Sequence, residues 1–82
     1  MIRSMPLTIA AVVAQMHTYG VSSAESEILK PLLGMAVPLP EGLSLFAVRN
    51  LLSGYHIILP DVLLRQFRDH ALYLALAENR AG

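Results

Sequence analysis

The sequence predicts an all-α fold of four to five short helices in helix-hairpin arrangement, forming one small domain over residues 1–82. Three observations carry that prediction. Apolar residues recur at helical spacing, most clearly Leu63, Phe67, Ala71 and Leu74 near the C-terminus. Apolar, helix-compatible runs end in glycines, at Gly20, Gly54 and Gly82. The β-prone triplet Ile57-Ile58-Leu59 has no convincing second strand to pair with, so it reads as a buried linker.

The first helix covers the apolar residues from Leu7 to Met16, with Tyr19-Gly20 supplying a C-terminal stop. The second starts with Ser22 or Ser23 as N-cap. Glu25 and Glu27 sit in its first turn, where the helix dipole favours acids. Pro31 should bend or shorten it and Gly34 should end it. "MAVPLPEG", with two prolines and a glycine, is an extended connector rather than a domain boundary. A third helix runs from about Leu43 to Ser53 and closes at Gly54. Pro60 and Asp61 open a last helix, and local signals allow it to continue unbroken to Ala81. Its stripe of Leu63, Phe67, His70 or Ala71, Leu74 and Ala77 is core-facing. Leu64, Leu72, Tyr73 and Leu76 widen that stripe beyond what one neighbour covers, so part of it should be interface.

Composition explains why an interface is expected. The chain is 55% apolar and 15% charged, against about a quarter charged in ordinary domains. A chain of this length buries only roughly 60–65% of its unfolded surface. More apolar side chains are present than a small core can hold. Six basic and six acidic residues balance without any run of one sign, which leaves no electrostatic footprint for nucleic acid or anionic lipid. The absence of cysteine removes disulfides and thiolate metal sites; it fits a cytoplasmic setting and is compatible with an extracytoplasmic one, so the redox compartment stays open. Ser4 to Ala24 carries no charge, but its strongly apolar part, "PLTIAAVVAQM", is about half the length that crosses a bilayer as helix. Arg3 before that run has the outline of a signal peptide, with a poor cleavage site near Val12 to Ala14.

Catalytic chemistry finds no foothold. His17, His56 and His70 show no paired ligand spacing, so each reads as a cap or a half-buried packing residue, with no metal and no cofactor expected. Asp69 and His70 are helix neighbours that point about 100° apart, which is poor geometry for orienting a base. Ser53-Gly54 looks like a helix end and not a nucleophile turn. "MHTYGVSSAESEILKPL" has the outline of a helix-turn-helix, packed through Val21, Ala24 and Leu29, but its outer face would show Ser23, Glu25, Ser26 and Glu27 to phosphates. The expectation is therefore a non-enzyme that binds protein. Met5, Met16 and Met35 are either an adaptable surface or core filler.

Gly20 and Gly54 stand 34 residues apart, and Gly54 and Gly82 stand 28 apart; the first interval is the period of tetratricopeptide helix pairs. Seven positions before these glycines stand Val13, Ala47 and Ala75. With "LSLFAVRNLLSG", "LPDVLL" and "HALYLALAENRAG", the region from Val37 to Gly82 resembles the small tetratricopeptide-like chaperones of needle subunits in bacterial type III secretion. That resemblance implies a turn near Arg68-Asp69-His70 and a cytoplasmic chaperone that covers an amphipathic helix of a secreted subunit, together with a second small chaperone. It places Ala14, His17, Val48, Leu51, Leu52, Leu72 and Leu76 on the partner-binding face. The competing expectation is a homodimer in which the same faces meet a second copy.

Overall fold

The structure, a computed structural model, describes residues 7–81. Arg3 of the signal-peptide outline, Met5 and the terminal Gly82 lie outside the described residues. Among the described residues four α-helices and one 3₁₀ turn follow in order, and the fold is all-α.

Helix α1 (Ile9–Tyr19) begins two residues later than its apolar run because Thr8 is the N-cap, its hydroxyl accepting the Ala11 N–H at 3.2 Å. The first amides of any helix lack an intrahelical acceptor. Here Ile9 and Ala10 donate to the carbonyls of Val37 and Met35, each at 2.9 Å. Leu39 in turn donates to the Leu7 carbonyl at 2.9 Å, and Thr8 and Pro38 form an isolated antiparallel bridge. The proline-rich connector is thus a strap tied to the start of α1. Gly20 ends the helix at φ 107°, a backbone that disfavours any side chain, with its N–H shared between Met16 and His17.

Helix α2 (Ser23–Leu29) opens with a reciprocal capping box. Ser22 Oγ accepts the Glu25 N–H and the Glu25 carboxylate accepts the Ser22 N–H, both at 3.1 Å. Pro31 has no N–H to continue the α-helical ladder, and the chain tightens into the 3₁₀ turn Lys30–Leu32 as expected.

Helix α3 (Leu45–Gly54) starts at Ser44 and not at Leu43. The Ser44 hydroxyl caps the Ala47 N–H at 3.1 Å, while Leu43 lies buried before the helix at φ 52°. Its end corrects the reading of Gly54 as the stop. Gly54 is the last helical residue, and the left-handed position belongs to His56, at φ 63°. His56 N–H donates to Ser53 at 2.9 Å and Ile57 N–H to Leu52 at 3.0 Å. Those two bonds are the Schellman pattern, which normally places glycine where His56 stands.

Helix α4 (Asp61–Ala81) is continuous. The turn that the secretion-chaperone resemblance implies near residues 68–70 does not form, since no glycine or proline interrupts the ladder. At 1.5 Å per residue α4 spans about 31 Å, and it sets the long axis of a molecule of 39 × 25 × 20 Å.

Helices α1 and α3 both pack on α4, and the 3₁₀ turn packs on α1. Ile9, Val12, Val13 and Met16 of α1 and Leu63, Leu64, Phe67 and Ala71 of α4 belong to one buried core, with Leu29, Leu32, Leu43, Val48, Leu52 and Leu59 filling the remainder. Met16 is therefore core filler, and the apolar run of α1 is used by the interior. Among the described residues no helix is long and apolar enough to cross a membrane. Ile57-Ile58-Leu59 is only in part a buried linker: Leu59 is inside, but Ile58 is 86% exposed.

Candidate protein-docking surface

The core takes one side of α4 along most of its length. Leu63, Leu64, Phe67 and Ala71 are buried, with Leu74 and Ala75 half-buried after them. Helical periodicity sends Val62, Leu72, Tyr73 and Leu76 to the opposite side. All four are exposed, Val62 at 66% and Leu76 at 58%. The second half of α4 is thus apolar on both its inner and its outer side. Arg65, Gln66 and Asp69 interrupt the outer side midway and are exposed too.

Tyr19, at the end of α1, extends this surface sideways. Its ring lies 5.6 Å from that of His70 at a tilted angle, and Gln15, Tyr19, Asp69, His70 and Tyr73 line a shallow cleft of ≈ 200 Å³. The neighbouring Tyr73 side chain raises the pKa of the Tyr19 hydroxyl above the ordinary tyrosine value, first as a polar partner and then through its charge, and slight desolvation acts the same way. The Asp69 carboxylate in this cleft accepts from Arg68 Nε at 3.2 Å and not from His70.

The seven residues placed on a partner-binding face do not share one. Leu72 and Leu76 lie together on the outer side of α4, and Ala14 is exposed on α1. Val48 and Leu52, at 0% and 1% exposure, point into the core, and Leu51 is half-buried. This corrects their assignment: α3 uses its Val48–Leu52 side to pack on α4 and turns Phe46 outward instead. His17 is occupied internally. Its Nδ1–H donates to the Val13 carbonyl at 2.9 Å, and Nε2 lies 3.2 Å from Ser26 Oγ, which joins α1 to α2. Gly20 caps α1 from outside the helix, whereas Gly54 is the last residue inside α3 and the left-handed position falls at His56, so the glycine spacing does not mark equivalent helix positions.

Three residues of the surface escaped the sequence reading: Val62, Tyr19 and Ile58. Val62 had a legible signal, standing ten and fourteen positions before Leu72 and Leu76, on one helical face. Tyr19 had none, because only the packing of α1 on α4 brings it to Tyr73.

Two other features are structural. Arg49 Nη2 and Asp61 Oδ1 stand 3.5 Å apart, an exposed link between α3 and the first turn of α4, of a kind worth little. Glu25, which would have faced DNA in a helix-turn-helix, has its carboxylate committed to the capping box. Among the described residues no three His, Asp or Glu side chains gather as a metal site requires.

No family model, curated protein or solved structure matches the chain.

Proposed function

We propose that this chain is a non-enzymatic protein-binding subunit, an adaptor or small chaperone, whose docking surface is the outer side of α4 flanked by Tyr19. The observation that carries this reading is the two-sided apolar character of the second half of α4. A helix apolar all round belongs in an interior, and here one side, with Leu72, Tyr73 and Leu76, is exposed. Large exposed apolar patches mark interaction surfaces, and net zero charge gives the free chain little colloidal protection. Each of these side chains contributes roughly 1.5–3 kcal/mol on full burial, less the part already covered.

The type III secretion version of this reading, with an amphipathic client helix and a co-chaperone, rests on the spacing of the Val37–Gly82 region. The unbroken α4 removes the helix pair on which that version builds its groove. The adaptor reading needs only the helix face. A cysteine-free chain suits a cytoplasmic setting for it.

The test compares the unmodified chain with the double variant Leu72→Asp/Leu76→Asp, using the fluorescence of an apolar-surface dye and light scattering. Circular dichroism should stay unchanged, because both positions are solvent-facing, while dye binding or association is lost. An unmodified chain that is monomeric and silent to the dye overturns the reading.

A further inference from the structure

Building on the docking surface just proposed, we infer that its occupant is a second copy of this chain, paired antiparallel along α4 with Arg65 of each copy facing Asp69 of the other. The outer residues Val62, Arg65, Asp69, Leu72 and Leu76 step by three, four, three and four positions. That is the heptad spacing of a coiled-coil seam, extending about 21 Å at 1.5 Å per residue. All five are exposed.

The sequence of this seam is self-complementary only when one copy is reversed. A two-fold axis makes every contact reciprocal, so that if one residue meets another, the second meets the first. With the axis at Phe67, the reversal lays Val62 against Leu72 and Arg65 against Asp69. Leu76 falls at the entry of the other α4, where Ile58 is 86% exposed. Apolar thus meets apolar at both ends and base meets acid in the middle, twice. A parallel pairing instead sets Arg65 against Arg65 and Asp69 against Asp69, so charge selects the antiparallel direction.

The two charged side chains are available for this. Arg65 makes no ion pair among the described residues. Asp69 accepts from Arg68 through Oδ1 alone, and its side chain is 67% exposed, which leaves Oδ2 for a second donor. A seam this short with a charged centre belongs at the small end of specific interfaces, with a dissociation constant on the order of micromolar.

The test is sedimentation equilibrium on the full chain from low to high micromolar concentration, at low salt. The unmodified chain should dimerise. Arg65→Glu or Asp69→Arg, each of which turns two attractions into two repulsions, should weaken the dimer roughly tenfold or more. The double variant Arg65→Glu/Asp69→Arg should restore it, since the swapped charges still match. Circular dichroism on the single variants confirms the fold, as both positions are exposed. A dimer indifferent to the single reversals, or one that the double variant fails to restore, overturns this pairing. A monomer that binds the apolar dye through Leu72 and Leu76 also overturns it, while leaving the docking surface to another protein; a dye-silent monomer removes both.

Discussion

Moving one glycine by two positions should stabilise this protein. Gly54 occupies the last helical position of α3, where a Cβ would meet nothing within 4 Å, whereas His56 holds the left-handed conformation at φ 63°. Gly54→Ala removes a helix penalty of about 0.5–1 kcal/mol. His56→Gly relieves a left-handed cost of about 1–2 kcal/mol, less about 0.4–1 kcal/mol for the greater freedom of glycine in the unfolded chain. The His56 imidazole forms no side-chain hydrogen bond among the described residues, so nothing else is lost. The double variant should therefore gain about 1–2 kcal/mol. In a domain of this size that raises the melting temperature by roughly 5–15 °C. Thermal and urea unfolding followed by far-ultraviolet circular dichroism measure it, at a fixed protein concentration so that association does not shift the midpoint. His56→Val should move the other way, because a branched side chain tolerates positive φ least. A Gly54→Ala variant that melts lower, with His56→Val neutral, would show that glycine and not histidine ends α3.

Two further outcomes separate the core from the outer surface. Leu52→Ala should cost about 2–5 kcal/mol in urea unfolding, since the side chain is 1% exposed in the packed interior; Leu76→Ala in the monomer should stay within about 0.5 kcal/mol. Equal losses at both would refute the division. Tyr73→Phe should lower the Tyr19 titration toward the ordinary tyrosine value near 10, read by phenolate absorbance. The sign follows from the raised pKa of Tyr19: its contact with Tyr73 is intact below that ordinary value and is lost as pH rises through the raised one. An unchanged titration would remove Tyr73 as the cause of the raised Tyr19 pKa.

Much of the fold was legible because its boundaries are chemical. Ser22 with Glu25, the missing N–H of Pro31, and Gly20 at positive φ each determine a helix end through one local bond or one local clash. The uninterrupted run from Asp61 to Ala81 carries no breaker, and it is one helix. Legibility failed where two answers have equal local cost. On α3 both Leu45–Val48–Leu52 and Phe46–Arg49–Asn50 are helical stripes, and only the arrival of α4 decides that Val48 and Leu52 turn inward and Phe46 outward. His56 in a left-handed conformation contradicts residue preference outright, and is held there by the bonds of His56 and Ile57 to Ser53 and Leu52. The α4 seam was hidden for a different reason. Arg65 and Asp69 break its apolar pattern, so a scan for hydrophobic spacing passes over Val62 while finding Leu72 and Leu76.

The strap of Met35 to Leu39 changes how α1 can come apart. Helix ends ordinarily fray one turn at a time, because their first amides answer only to water. In this chain the Ile9 and Ala10 amides are held by backbone far downstream, so loosening that turn means lifting the connector from it. The beginning of the domain and its middle therefore open together or stay shut together, as a single latch between stretches of sequence that have no common helix.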